Sequence, residues 1–534
     1  MKLRFLVPVL LALGYVAQCG WFIATQSFTF DEPYHIARGL DAWRNARFDR
    51  WPDHPPLPSL LQTAPLARGD WQVEVTSETP ATALLPDPEA MARRARAVNA
   101  VFGLLLGFLV WSTARRLFST NAANFALALF VFSPALIAHY SVVTTDGMGT
   151  LMIFLAAVQL TRWRRDPSRA QTLLLGVVLS LMLLAKFYTV PMFALALVLV
   201  LLLKPEGFSV APREWNWGKA AALAAIAFVV VWGAYAFHIT KVELGDGRVA
   251  LHFPGASEPR VEEFPSSIRA TLYIPACEYL VGLGSVLDHD RRGHRSFFLG
   301  ELSPTGGWKS YFPVIVALKW PTVVALLFAI ALALGFARRL ALPRDLLLMA
   351  WFPVVFFLFA MFARINIGDR HILPVYPFVL MFCAALWHAA RLRWEVLLLS
   401  VAIVAHAADA LRVAPDYLSY FNIFVKTENS YRLVGDSSLD WGQGLLALRD
   451  YETMHPEKKN YLAYYGNVDP RLYGIRATPL AENERVAGTV VVSAMHLTGR
   501  VLHDPTGYQW LLRYPRIAIL NHTLFVFDTR DPPH

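Results

Sequence analysis

The sequence predicts a polytopic α-helical membrane protein with about eleven transmembrane helices and a small C-terminal α/β domain outside the membrane. Of its 534 residues, 55% are hydrophobic and 17% are charged, whereas a soluble domain carries about 25% charge. Eleven apolar runs approach the roughly 20 residues that span a bilayer. The loops between them also alternate in charge. This composition excludes a disordered protein and a protein with a nucleic-acid-binding tail.

The first apolar run, 5–24, follows Lys2 and Arg4 and is interpreted as a membrane span. A signal peptide is the alternative, but the run is longer than a typical signal core and no small-x-small cleavage site follows it. The other ten predicted spans are 97–114, 121–138, 147–163, 170–186, 188–204, 219–237, 313–336, 345–362, 372–390 and 393–411.

One set of loops is short and basic, which is typical of the cytoplasmic side. Its residues are Arg115, Arg116, Arg162, Arg164, Arg165, Arg169, Lys204, Arg213, Lys219, Arg338, Arg339, Arg344, Arg391 and Arg393. The opposite set includes two long loops, 25–96 and 238–312, and the tail. We therefore predict a cytoplasmic N-terminus and an outer C-terminal domain. The net charge of +9 fits the basic inner loops and requires no nucleic-acid partner.

The chain divides into a membrane module, 1–412, and an extracytoplasmic domain, 413–534. The tail mixes a helix-like stretch at 441–451 with strand-like stretches at 461–465, 489–493 and 524–527. This mixture predicts a small α/β domain.

Two adjacent carboxylates, Asp31 and Glu32, follow the first span. Their proximity disfavours double ionisation and could raise one pKa towards that of a general base. The alternative is a helix start, because Pro33 suits the first helical position, with Glu32 at the N-cap and Asp31 just outside.

Two further candidates lie on the outer side. Asp146 begins the fourth span and is either a site acid or the N-cap of that helix. His54 is held by two following prolines in an extended turn near the same surface; a structural role is the alternative.

Four cationic candidates, Lys186, Arg364, Arg370 and His371, lie at outer helix ends, against the positive-inside trend. Snorkelling to lipid headgroups is one interpretation. The other is a phosphate-bearing lipid substrate, because guanidinium and ammonium groups bind phosphate.

These residues resemble the GT-C glycosyltransferases, and most closely glycosyltransferase family 39, which includes protein O-mannosyltransferases and lipid A aminoarabinose transferases. The resemblance extends over nearly the whole chain and includes uncharacterised bacterial members. It is carried by Asp31-Glu32, His54-Pro55-Pro56-Leu57, Asp146, Phe298-Leu299-Gly300-Glu301, Gly307-Trp308, Tyr311-Phe312-Pro313, Lys319-Trp320-Pro321, the run 370–377, the run 417–422 and the run 436–443.

The resemblance implies a GT-C fold and transfer of a sugar from a polyprenyl-phosphate donor on the outer face of a bacterial inner membrane. It implies that Asp31 is the catalytic base, with Glu32 beside it and Asp146 as the second acid. His54, Lys186, Arg364, Arg370 and His371 are the expected substrate-binding residues, the four cationic ones facing the lipid phosphate. The tail differs from the sugar-recognition insert of eukaryotic protein mannosyltransferases, so the acceptor is left open among glycan, lipid and protein.

The predicted reaction is a direct displacement by an acceptor hydroxyl, which inverts the anomeric centre. We predict no metal cofactor, although Asp31, Glu32 and Asp146 could together bind a divalent ion. Two alternatives from other classes are a lipid-linked-sugar flippase or transporter, which needs polar residues in mid-span, and a non-catalytic envelope assembly protein. Lys319, inside its span, is the exception to charges that otherwise lie at span ends.

Overall fold

The structure is a computed structural model that describes residues 5–75, 83–204, 207–208, 215–265 and 267–530. The predicted cytoplasmic residues Lys2, Arg4 and Arg213 lie outside these ranges.

Helices dominate the first three quarters of the described chain, and each of the eleven predicted spans falls on helical residues. The α-helices there are Leu6–Thr25, Glu32–Asn45, Leu57–Thr63, Pro88–Leu117, Thr120–Val131, Pro134–Tyr140, Asp146–Arg165, Arg169–Leu183, Val190–Leu202, Trp217–Ala234, Cys277–Arg292, Tyr311–Lys319, Thr322–Phe336, Arg344–Met349, Trp351–Phe362, Tyr376–Ala389 and Arg393–Arg412. Short 3₁₀ turns at Ala64–Leu66, Phe187–Thr189 and Asp369–Val375 join some of them.

The described helices that are long and apolar enough to cross a membrane number six, or up to eight if two bent pairs each count as one span. The chain is therefore a multi-pass helical membrane protein with fewer full-length helices than the eleven predicted. The clearest departure is the predicted span 313–336, which is two helices bent by 118° at Trp320-Pro321. Proline lacks the N–H that would continue the helix and restricts the residue before it, so the helix breaks there.

The first helix packs into the bundle along one side. Tyr15, Cys19 and Phe22 are buried, and the Gln18 amide donates to the Val131 carbonyl at 3.1 Å. Leu10 and Leu13, on the other side, are exposed, as expected for a surface that faces lipid.

The helix Asp146–Arg165 relates the two ends of the bundle. At about 1.5 Å per residue its 20 residues extend about 30 Å. Arg164 and Arg165, at its far end, pair with Asp345 at 3.2 and 2.6 Å. The basic loops that begin there are thus a membrane thickness away from Asp146.

The long loop before residue 312 forms an antiparallel four-stranded sheet in the order Arg260–Glu263, Arg248–His252, Ile239–Gly245 and Ala270–Pro275. Three two-stranded ribbons pair Gln72–Glu74 with Ala83–Leu85, Leu203–Lys204 with Gly207–Phe208, and Ser296–Phe298 with Glu301–Ser303.

The tail is a C-terminal sheet domain, as predicted. Its mixed sheet has the order Thr478–Pro479, Asn460–Ala463, Thr489–Ser493, Leu524–Asp528 and Arg516–Leu520. The first three strands run parallel to one another. The strand Leu524–Asp528 pairs antiparallel with both of its neighbours, Thr489–Ser493 and Arg516–Leu520. The helices Leu445–Met454 and Ala494–Leu497 and the 3₁₀ turns Tyr417–Ser419, Thr427–Arg432, Pro470–Tyr473 and Gln509–Arg513 complete the domain. The boundary at 412/413 stays a prediction.

The C-terminal domain is joined to the loop after the first helix by backbone pairing. Ser27 N donates to Gln443 O at 3.1 Å, and Phe30 N donates to Trp441 O at 2.8 Å. This pairing fixes the backbone one residue before Asp31.

Candidate active site

An open cavity of about 550 Å³ lies between the C-terminal domain and the helix ends that carry Asp146 and Lys186. Six of the eight predicted site residues line it: Asp31, His54, Asp146, Lys186, Arg370 and His371. Glu32 and Arg364 are absent from its described lining.

Of the two adjacent carboxylates, Asp31 is the one that lines the cavity. Its Oδ2 accepts from Arg370 Nη1 at 3.0 Å, and the Arg370 guanidinium lies 4.2 Å from the Trp441 ring centroid. The helix begins at Glu32 with Asp31 at the N-cap position, but in the described structure the Asp31 side chain makes no capping hydrogen bond. The alternative was therefore right that a helix starts here with Pro33 in its first turn, but the helix begins one residue earlier than expected and Asp31, not Glu32, is at the N-cap.

The surroundings of Asp31 make it a stronger base than an ordinary aspartate. Burial raises the pKa of the Asp31 carboxyl above its usual value, and Arg370 offsets only part of that increase. About a third of the side chain is still exposed to the cavity, so a substrate hydroxyl can reach it.

Asp146 and Lys186 form a second carboxylate–cation pair in the same cavity. Lys186 Nζ donates to Asp146 Oδ1 at 2.5 Å, and the carboxylate is almost fully buried. Asp146 is the first residue of its helix, and no capping side-chain bond is present at that start in the described structure. Its contact is to Lys186, so Asp146 holds the ammonium group at the cavity wall.

Glu32 lies behind the cavity instead of in it. Its carboxylate pairs with Arg96 at 2.6 Å, and both side chains are 0% exposed. Backbone N–H groups of Thr29 and Val143 also donate to it, at 2.7 and 2.8 Å. The two neighbouring carboxylates therefore do not share a site, and the like-charge argument made from their adjacency does not apply.

Arg96 and Glu32 join three segments that carry the site. Arg96 donates to the carbonyls of Gln26 and Ser27, both at 2.7 Å, in the loop before Asp31. Glu32 reaches Val143, three residues before Asp146. The pair thereby fixes the spacing between the segments that carry Asp31 and Asp146.

A second buried network holds the loop before Asp146. Asn99 Nδ2 donates to the carbonyls of His139 and Val142 at 3.0 and 2.6 Å. Gln62 Nε2 donates to Asn99 Oδ1 and to Thr144 O, at 3.0 and 2.7 Å. Side chains from two helices, Asn99 and Gln62, therefore hold the backbone of this loop in place. This preorganises the cavity wall.

His54 contributes a neutral ring. It stacks on His35 with ring centroids 5.2 Å apart. Burial lowers the pKa of both imidazoles well below their ordinary value, with nearby cations adding to the effect. His54 can thus accept or donate a hydrogen bond to a substrate but does not supply a positive charge at neutral pH.

His371 and Arg364 come from the same short turn, 364–371, but differ in position. The His371 ring lies on the cavity wall, with its centroid 5.5 Å from that of Phe312 and 6.0 Å from that of Tyr188. Arg364 is exposed, and its guanidinium donates to Arg291 O at 3.0 Å. The structure therefore keeps Arg364 outside the described cavity lining.

The C-terminal domain adds a charged group that the sequence analysis did not assign to the site. Asp436 pairs with Arg500 at 2.6 Å and lies 3.6 Å from His294, and all three residues line the cavity. Burial would raise the pKa of Asp436, but Arg500 and His294 outweigh it and hold the pKa well below its ordinary value. Asp436 belongs to the run 436–443 that carries the family resemblance, and this run was the sequence signal that could have identified it as a site residue.

Each of the three carboxylates that could have bound a divalent ion is paired with a cation. Asp31 pairs with Arg370, Glu32 with Arg96 and Asp146 with Lys186. Within the described ranges there is no group of three or more Asp, Glu, His or Cys residues arranged to hold a metal ion.

Comparisons with known proteins place this geometry in a fold class. Residues 89–232 match the sequence profile of the family described as dolichyl-phosphate-mannose-protein mannosyltransferase. The comparison with curated proteins gave no significant match.

Two solved structures share the architecture at low sequence identity. ArnT from Cupriavidus metallidurans, in the apo state, is 13% identical, and the alignment covers 98% of this chain and 97% of ArnT with a TM-score of 0.51. The Saccharomyces cerevisiae protein O-mannosyltransferase Pmt1-Pmt2 complex bound to the sugar donor is 11% identical, and the alignment covers 78% of this chain and 90% of that chain, also with a TM-score of 0.51. The chain therefore has the GT-C fold predicted from its sequence.

Proposed function

We propose that this protein is a membrane glycosyltransferase that moves a sugar from a polyprenyl-phosphate donor to an acceptor hydroxyl, with inversion, on the outer face of a bacterial inner membrane. The observation that carries the proposal is the joint placement of Asp31, Lys186, Arg370 and His371 around one open cavity. The GT-C fold and the family match at 89–232 support it.

In the proposed reaction, Asp31 removes the proton from the acceptor hydroxyl. The acceptor oxygen then attacks the anomeric carbon of the sugar, and the bond from that carbon to the phosphate oxygen breaks. The electron pair leaves on the polyprenyl phosphate. One displacement by one nucleophile inverts the anomeric configuration.

The leaving phosphate gains negative charge as the bond breaks. Lys186, Arg370 and His371 lie on the cavity wall, and preorganised donors stabilise such charge without reorganising. Apolar residues in the same lining, Phe187 and Ile367, provide a surface for the start of the lipid chain.

The sidedness follows from charge. Asp146 lies at the cavity end of its helix, and Arg164 and Arg165 lie at the other end, about 30 Å away. Because basic loops stay in the cytoplasm, the cavity is proposed to open on the outer face, with the N-terminus inside and the C-terminal domain outside.

The transporter alternative is less well supported, because Lys319, the charge inside a span that would favour it, has a structural explanation. Lys319 is buried, contacts Ser438 O and donates to Leu418 O at 3.2 Å. It ties a membrane helix to the C-terminal domain and does not line the described cavity.

The test is a transfer assay with purified protein in nanodiscs, radiolabelled polyprenyl-phosphate sugars and an envelope extract as acceptor. Wild-type protein should release polyprenyl phosphate and label the acceptor, with the same rate in EDTA. Asp31→Asn should lower the rate by about 10²–10⁴, because the amide keeps the shape but accepts no proton.

Asp41→Asn is the matched control. Asp41 lies on the same helix, binds Asn45 at 2.7 Å and is absent from the described cavity lining, so its rate should equal wild type. Full turnover in Asp31→Asn would disprove the base assignment. Donor movement across the bilayer without bond cleavage would favour the transporter.

A further inference from the structure

Residues 422–425 of the C-terminal domain form a tight turn, which we call the tail turn. Val425 N donates to Asn422 O at 3.0 Å, and Phe424 N donates to Asn422 Oδ1 at 3.3 Å. The first bond closes a four-residue turn, and the second is the side-chain bond by which asparagine reinforces one. Ile423 and Phe424 are therefore held at the tip of a fixed piece of backbone.

The tail turn is fastened to the helix break at Trp320-Pro321. A helix leaves its last carbonyls without helical partners, and Asn422 donates to several of them here. Its backbone N donates to Leu318 O at 3.0 Å. Its Nδ2 donates to Ala317 O at 2.6 Å and to Trp320 O at 3.3 Å. The turn is thus held where the two bent helices meet.

The tail turn also lies beside the end of the membrane helix Arg393–Arg412. Arg412 Nη2 donates to Phe421 O at 3.1 Å, one residue before the turn. The 20 residues of this helix extend about 30 Å, which is the thickness of the hydrocarbon core of a bilayer. Arg412 therefore marks one boundary of the hydrocarbon layer, and the tail turn lies beside that boundary.

The tip of the tail turn is apolar and exposed. Ile423 is 60% exposed and Phe424 is 75% exposed. Single exposed apolar residues are common on soluble surfaces, but these two adjoin helix surfaces that face lipid. Leu411, in the last turn of one neighbouring helix, is 51% exposed, and Leu326, near the start of the other, is 59% exposed. The tip therefore continues the lipid-facing surface of the membrane module.

Cations flank the apolar tip on both sides. Arg412, which also pairs with Asp409 at 3.0 Å, has a side chain that is 45% exposed. Lys426 directly follows the turn and is exposed. Long cationic side chains at a bilayer surface keep their stems against apolar groups and their charges among the headgroups. An apolar tip between two such side chains is typical of a segment that enters a membrane interface.

We propose that the tail turn is a membrane anchor of the C-terminal domain. Ile423 and Phe424 enter the hydrocarbon of the leaflet on the cavity side, and Lys426 contacts lipid phosphate. Lipid is the occupant because the tip lies at the hydrocarbon boundary and continues a lipid-facing surface. The anchor is a contact between the domain and the bilayer, and it does not depend on the proposed reaction.

The anchor is connected to the candidate active site by a short path. Lys319 Nζ lies 4.5 Å from the ring centroid of Phe421 and contacts Ser438 O. The Ser438 hydroxyl binds the Asp369 carboxylate at 2.9 Å, next to Arg370. Docking of the tail turn on the bilayer therefore also steadies the segment that carries Arg370.

The test places an environment-sensitive NBD fluorophore on single introduced cysteines of the full chain in nanodiscs. The lipids either carry a nitroxide quencher on the acyl chain or lack it. The chain's own cysteines, Cys19, Cys277 and Cys383, are buried, which favours labelling at the introduced position. Labels on Ile423→Cys and on Phe424→Cys should emit at shorter wavelength than a label in water and should lose emission to the nitroxide lipid.

Two equally exposed positions calibrate the label, since Val404 and Met454 are both 68% exposed. Val404→Cys, on a membrane helix, is the reference for lipid. Met454→Cys, on the C-terminal domain, is the matched control for water. Arg449, on the same helix as Met454, pairs with Glu89 in the first turn of Pro88–Leu117. That membrane helix is about 45 Å long and so projects beyond the hydrocarbon core of about 30 Å.

A double variant tests anchoring without any label. Ile423→Asp with Phe424→Asp should release the tail turn from the bilayer, because carboxylates are costly in hydrocarbon. Amide hydrogen exchange over 417–425 should then become about tenfold faster or more, as expected when a locally stabilising apolar contact is lost. Met454→Asp should leave the exchange of this segment unchanged.

Quenching at either tip position, close to that at the Val404→Cys label, supports the proposal. Emission and quenching like those of the Met454→Cys label at both tip positions would overturn it. Short-wavelength emission without quenching would place the turn against protein, such as a second copy of the chain, and would also overturn it. Unchanged exchange in the double variant would overturn the anchoring role.

Discussion

Asp31 and Glu32 are adjacent in the chain but have different partners and different exposure. Asp31 is partly exposed in the cavity beside Arg370, whereas Glu32 is sealed against Arg96. The helix start separates them, because successive residues there project about 100° apart. One carboxylate is free to act on a substrate and the other joins segments.

We expect Glu32→Gln to destabilise the protein far more than Asp31→Asn. Removing one partner of a buried ion pair leaves an uncompensated charge and costs about 3–5 kcal/mol, and Arg96 and Glu32 are both 0% exposed. Thermal unfolding of the two variants in nanodiscs measures this difference. A Glu32→Gln protein with wild-type stability and no transfer would instead assign Glu32 a direct role in the reaction.

Arg370 should set the pH dependence of transfer through Asp31. Burial raises the pKa of Asp31 and Arg370 lowers it, so Arg370→Gln should raise that pKa further. A base works only when deprotonated, so the rate falls as pH drops through this pKa. The acid limb of kcat/KM should therefore move to higher pH in the variant, measured from about pH 4, close to the ordinary aspartate pKa of about 3.9, up to about pH 8.

Arg370→Lys is the companion variant for that profile. It keeps a cation near Asp31, so the limb should stay close to wild type while the rate falls because the fork is lost. An acid limb that does not move in Arg370→Gln would show that Arg370 does not control the Asp31 pKa.

At the scale of elements, the turn that carries Arg370 is seated on the C-terminal domain. Gly368 has a φ of +89° and packs against Ser438. The Ser438 hydroxyl binds the backbone N–H and the carboxylate of Asp369, both at 2.9 Å. The position of Arg370 therefore depends on residues of the tail.

We expect Gly368→Ala to disrupt this contact. A Cβ there would collide with the Ser438 hydroxyl, and the backbone of Gly368, with a φ of +89° and a ψ of −169°, costs a residue with a side chain about 1–3 kcal/mol. Transfer activity and the unfolding temperature should both fall. Gly20→Ala is the control, because a Cβ at Gly20 meets no heavy atom within 4 Å and alanine favours a helix by about 1 kcal/mol. Equal behaviour of the two variants would disprove the steric argument.

At the scale of the whole molecule, hydrophobic runs and loop charge predicted the multi-pass helical fold, and the family resemblance selected residues most of which the structure brings together. Every predicted span falls mainly on helical residues, and Asp31, Asp146, Lys186, Arg370 and His371 line one cavity at one end of the bundle. The alternation of basic and polar loops predicted which helix ends lie together, because it assigns each helix end to one of the two sides of the membrane.

What the sequence did not reveal depends on side-chain direction and on long-range packing. Arg364 is close to Arg370 in the chain, yet its guanidinium binds Arg291 O. Asp436 and Arg500 are far apart in sequence and meet only because the C-terminal sheet brings them together. Pro321 could have predicted a break in the helix at Trp320-Pro321, but it could not have predicted the bend of 118°.

The predicted orientation is tested with a reporter fused to the C terminus. An alkaline phosphatase fusion, active only outside, should be active, and a green fluorescent protein fusion should be dark. The reverse result would place the cavity on the cytoplasmic side and remove the outer-face reaction.

The pairing between the loop after the first helix and the tail has a consequence for biogenesis. Ser27 Oγ donates to the Gly442 carbonyl at 3.2 Å across 415 positions of sequence, and the last charged residue in the described cavity lining is Arg500. The segment around Ser27 is therefore synthesised long before the residues of the tail that complete the cavity. A partly synthesised chain holds Asp31 without these surroundings, so under the proposed function it cannot carry out transfer until the C-terminal domain has folded onto this loop.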